Sequence, residues 1–93
     1  MKLNIRKEIQ AISKEIIDYR RDFHKYPELS FKEFRTAEKI SSYLSDFNIP
    51  HKNNIGKTGV VAELDFGDGP TIALRADMDA LPIQETGKLA YKS

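Results

Sequence analysis

The sequence has 93 residues, 40% of them hydrophobic, with 15 Lys and Arg against 14 Asp and Glu for a formal charge of +1. A chain of that length holds at most one small core, burying about 60–65% of the surface it exposes when unfolded, and so small a charge gives no field that would recruit nucleic acid or an anionic membrane. The lack of Cys excludes disulfides, thiolate nucleophiles and thiolate metal ligands; it fits a reducing compartment, which makes the cytoplasm the expected location.

Residues 1–14 mix Lys, Arg and Glu with isolated Ile, so no continuous apolar stretch is present to act as a signal peptide or a membrane span. From Leu3 to Phe23, the residues Ile5, Ile9, Ile12, Ile16, Tyr19 and Phe23 recur at helical spacing and predict one amphipathic helix. Pro27 disfavours helical geometry at Tyr26, which places the helix end near His24 or Lys25. A second start signal comes at once: Ser30 and Glu33 form a capping-box pattern, with Leu29 and Phe34 placed for a hydrophobic staple. Phe34, Ala37, Ile40, Leu44 and Phe47 then mark the buried face of a second helix, and Asn48, Ile49 and Pro50 stop it.

Beyond Pro50 the period becomes alternating, with Val60, Ala62, Leu64 and Phe66 on one face and Val61, Glu63 and Asp65 on the other, which predicts a strand. Gly67, Asp68, Gly69 and Pro70 are turn formers and Thr71 to Leu74 is a short apolar run, so a β-hairpin about that turn is expected. A further short strand at His51 to Asn54 carries only a weak signal. From Asp77 onward Pro82 and Gly87 interrupt any period. The layout is two helices followed by a hairpin, an α/β arrangement too thin for independent stability.

Asp77 and Asp79 come after the apolar run Ile72–Leu74 and would share one side of an extended chain. Carboxylates so placed can bind a divalent cation, orient a ligating His or transfer protons; the plainer reading is a solvated loop start with Asp77 in an Asx turn. His24 and His51 lack the spacing of a helical metal site. His24 reads better as a helix C-terminal contact and His51 as a surface residue. Arg20, Arg21 and Lys25 read as the wet face of a helix rather than an anion site, and Gly56, Gly59, Gly67 and Gly69 do not have phosphate-loop spacing.

Two stretches, Tyr19–Ser30 and Ile72–Glu85 (IALRADMDALPIQE), together with Thr58–Ala62 between them, resemble the amidohydrolase branch of the M20 metallopeptidases, which includes hippurate hydrolases and the N-acyl-amino-acid and indoleacetyl-amino-acid hydrolases. The resemblance implies that residues 1–93 open a zinc-peptidase-type α/β catalytic domain, whose remainder and inserted dimerisation domain lie outside the chain. It further implies divalent metal ions, Zn, Mn or Co, in the parent enzyme, an N-acyl amino acid as substrate, and a homodimer. The family's Cys-Gly-His motif, Glu pair and later His ligands are not in this sequence, so the chain by itself is expected to bind no metal and to be inactive. Only Asp77 is carried over, as the acid that orients a ligating His; Arg75 stands where the wider family has His. The alternative is a small non-enzymatic α/β module that binds a partner through the surface a missing domain would cover.

Overall fold

The computed structural model describes residues 5–93; the expected helix start at Leu3 lies outside the described residues. Its elements in chain order are α1 (Lys7–Ala11), α2 (Ser13–Lys25), α3 (Phe34–Asp46), β1 (His51–Ile55) and β2 (Gly59–Ala62). Among the described residues these fall into two compact units, one of residues 5–26 with 84–93 and the other of residues 27–83.

In the first unit the single helix expected from the apolar stripe is divided into α1 and α2. Ile12 sits at φ −104° and ψ 5°, and its N–H turns to the Ile9 carbonyl at 3.2 Å, a three-residue reach that tightens one turn. Ile16 N–H still reaches the Ile12 carbonyl at 3.1 Å, so the chain resumes as a helix directly. α2 ends at Lys25, as the proline after Tyr26 dictates, with Tyr26 at φ −121° and ψ 67°.

In the second unit α3 begins at Phe34, later than the Ser30–Glu33 pattern predicts, and no side chain of its N-cap residue Glu33 bonds the helix. The carboxylate of Glu28 does so instead, accepting from the amides of Arg35 at 3.0 Å and Thr36 at 2.6 Å. Phe31, at φ 65°, lets the chain fold back so that Glu28 can reach that end. The other end closes as the sequence predicts: Asn48 is left-handed at φ 57°, its N–H reaches the Ser45 carbonyl at 3.0 Å and that of Ile49 reaches Leu44 at 2.8 Å. This is a Schellman motif with Asn in the place glycine usually takes.

A β-hairpin comes after the helices, but its strands are not the expected pair. β1 and β2 pair antiparallel with His51 opposite Ala62, Lys52 opposite Val61 and Ile55 opposite Gly59. Asn53 and Asn54 thus face Val60 alone, a bulge eased by Asn54 at φ 58°. The predicted strand Thr71–Leu74 does not form. The turn before it does, with Gly67 at φ 103° and its N–H on Asp65 Oδ1 at 2.9 Å, but the apolar run beyond that turn finds no strand to pair with.

Among the described residues no apolar side chain is fully buried; the buried positions are Glu33, Thr36 and Thr58. On α3 the expected inner face is half-buried at Ala37, Ile40 and Leu44 and open at Phe34 and Phe47.

Candidate functional site

The two stretches singled out in the sequence are joined within each unit. In the second unit the N–H of Ala80 donates to the carbonyl oxygen of Glu28 at 2.7 Å. Glu28 therefore serves twice, its carboxylate on the α3 amides and its main-chain oxygen on the segment that carries Asp77 and Asp79. Desolvation acts to raise the Glu28 carboxyl, but the amides of Thr36 and Arg35, the Thr36 hydroxyl and the Arg35 charge outweigh it and hold the group below its ordinary value.

Asp77 lies where the apolar run ends, three-quarters exposed, with Oδ1 3.3 Å from Arg75 Nη2. This is a solvated ion pair between neighbours, of the sort that adds little to stability. Arg75 thereby engages the carboxylate that the resemblance assigns to a His. Asp79 is exposed.

In the first unit, His24 does not simply meet a helix carbonyl: its Nε2 lies 3.0 Å from Glu85 Oε2. The same carboxylate oxygen accepts the Ser93 amide at 2.8 Å, while Ser93 Oγ donates to the His24 carbonyl at 2.5 Å. The Ser93 amide first, and then His24, hold the Glu85 carboxyl below its usual range. Tyr91 stands edge-on to His24 at 6.1 Å, and the Arg21 guanidinium lies 4.5 Å from the Tyr91 ring centre. Arg21 is thus more than wet surface; it stacks on an aromatic face.

His51 is not a free surface residue either. It is half-buried, with Ser41 Oγ at 2.8 Å from Nε2 and the Ile49 carbonyl oxygen at 2.9 Å from Nδ1. Sequence reading missed Ser41, because only the hairpin's return against α3 brings it to His51.

The donors present do not fit a hydrolytic metal centre: among the described residues no three of His, Asp or Glu converge. Nor is any helix among them long and apolar enough to cross a membrane.

The chain is similar to curated hydrolases over nearly all of its length. It is 44% identical over 92 residues to a hippurate hydrolase of Campylobacter jejuni, covering 98% of this chain and 24% of that protein. It is 44% identical over 90 residues to an N-acetylcysteine deacetylase of Bacillus subtilis, covering 90% of this chain and 23% of the relative. With thermostable carboxypeptidase 1 of Saccharolobus solfataricus the identity is 38% over 91 residues, covering 96% and 23%. The chain thus spans about a quarter of the length of these relatives. No family profile matches it, and no solved structure does.

Proposed function

We propose, since this chain belongs to the amidohydrolase branch of the M20 metallopeptidases, that it forms part of the catalytic domain of an enzyme cleaving the amide bond of N-acyl amino acids. The observation that supports this reading is that relatives named for such substrates match nine-tenths or more of the chain. The complete enzyme would use divalent metal ions, Zn, Mn or Co, whose ligands are supplied by other residues, and would act as a cytoplasmic homodimer. In this proposal the chain contributes one part of the catalytic domain and does not hydrolyse the substrate by itself.

The part of this chain in the reaction is to position. Asp77, released from Arg75, accepts the ring N–H of a histidine contributed by the rest of the domain and fixes that ring's tautomer. Glu28 supports the placement by holding Ala80, three positions further on, through its main-chain oxygen.

The test is a graft in which this chain replaces the matching residues of the hippurate hydrolase. Retained hydrolysis of hippurate is expected, with Asp77→Ala lowering it by about 10–100-fold. A folded graft without activity would overturn the reading, and full activity of the Asp77→Ala graft would remove Asp77 from it. Cleavage of hippurate by the purified 93-residue chain would overturn the proposed division of labour.

A further inference from the structure

A serine inside a helix ordinarily returns its hydroxyl to a carbonyl one turn back. Ser41, in the middle of α3, directs Oγ to His51 Nε2 at 2.8 Å. His51 opens β1, and its Nδ1 lies 2.9 Å from the Ile49 carbonyl oxygen. A carbonyl only accepts, so in the neutral ring Nδ1 carries the proton and Nε2 is the acceptor, which makes the Ser41 hydroxyl the donor. Hydroxyl, imidazole and orienting acceptor therefore stand in the order of nucleophile, base and orienter.

Ser41 lines a groove of about 420 Å³ between α3 and the hairpin, with Phe34, Glu38, Ser45, Asn53, Asn54 and Thr58 among its other walls; His51 is not in that lining and meets the groove through the Ser41 hydroxyl. The groove is large enough for a small acyl group, and its carboxamides and hydroxyls are N–H and O–H donors of the type that stabilises an oxyanion.

We propose that Ser41 and His51 form an acyl-accepting dyad, an esterase-type site for a small uncharged carboxylic ester. Ser41 Oγ bonds to the ester carbonyl carbon as its proton passes to His51 Nε2. Collapse of the tetrahedral adduct breaks the carbon–oxygen bond to the alcohol, which leaves with the proton from His51. Water, deprotonated by the same nitrogen, then hydrolyses the acyl-serine and restores the hydroxyl. The step uses neither a metal ion nor Asp77, so this activity does not rest on the amidohydrolase reading.

The experiment treats the full chain with p-nitrophenyl acetate and maps acetylated positions by mass spectrometry over time. Ser42 and Ser45 line the same groove without an imidazole at the oxygen and serve as controls within one molecule. Ser41 is expected to acetylate about 100-fold faster than either, the lower bound for a positioned general base. His51→Gln is expected to bring Ser41 down to their rate, and Ser41→Ala to abolish the fast release of p-nitrophenol. Equal labelling of the three serines in the unaltered chain would overturn the dyad, whatever the variants do to folding. Acetyl found on His51 alone, or release unchanged in Ser41→Ala, would overturn Ser41 as the nucleophile.

Discussion

Residues 34–62 and residues 63–83 belong to the same unit and are organised in opposite ways. The first segment is closed by local chemistry: a capped helix, a Schellman stop, and a hairpin whose register absorbs a bulge. The second is nearly bare, with Leu74 98% exposed, Phe66 91% and Ile72 85%. Each of those side chains forgoes about 1.5–3 kcal/mol of burial free energy. Order in residues 34–62 therefore comes from bonds the chain makes over ten or so residues, whereas the apolar run, which could be repaid only by distant partners, gains nothing where it stands.

The strongest way to break that contrast is at the hairpin. A Cβ at position 59 would stand 2.5 Å from the Ile55 carbonyl oxygen, a backbone atom that cannot give way without moving the strand. Gly59→Ala is expected to cost about 1–3 kcal/mol, read as lost amide-exchange protection in β1 and β2. Next in size is the α3 cap: Glu28→Ala should cost about 1 kcal/mol, read as exchange protection in the first turn of α3.

The same cap gives the contrast a pH signature. The folded Glu28 carboxyl lies below its ordinary value of 4.5, so its stabilisation is full above that pH and is lost as pH falls through the folded value. Protection at the start of α3 should fade over that acid window, and the fading should be smaller in Glu28→Gln. At the C-terminal end, Asn48→Ala keeps a Cβ in a left-handed conformation but removes the carboxamide that makes that conformation tolerable to Asn, and should cost about 0.5–1 kcal/mol, whereas Asn48→Gly should be neutral or better.

The smallest expected effect sharpens the comparison from the other side. Leu74→Ser should change the chain's stability by less than about 0.5 kcal/mol, because the side chain touches almost nothing. In the hippurate hydrolase graft the same change should cost about 2–5 kcal/mol if that run is covered there. A thermal melt of each reads the difference.

What could be read in the sequence divides along the same line. Pro27 and Asn48 act on their own neighbours, and both helix ends stand where they were expected. The Ile12 interruption leaves the apolar period intact and gives no sign of itself. Ser30 and Glu33 have the spacing of a capping box, yet the group that caps α3 is Glu28, brought back by a reversal at Phe31 that spacing does not encode. β1, reading His-Lys-Asn-Asn, has little strand propensity and forms because β2 returns to it. Of the candidate site residues, Asp77 was legible as a carboxylate ending an apolar run, and Arg75 two positions away is its partner. The Ser41–His51 contact crosses from helix to strand, so neither residue's local context announces it.

The bond from Ala80 to Glu28 runs between main-chain atoms, and this makes it indifferent to most of what mutation can do. Exchanging either side chain leaves donor and acceptor in place, and only proline at position 80, which has no amide hydrogen, would delete the link outright. The tie between the two stretches can thus outlast extensive sequence drift at both of its ends.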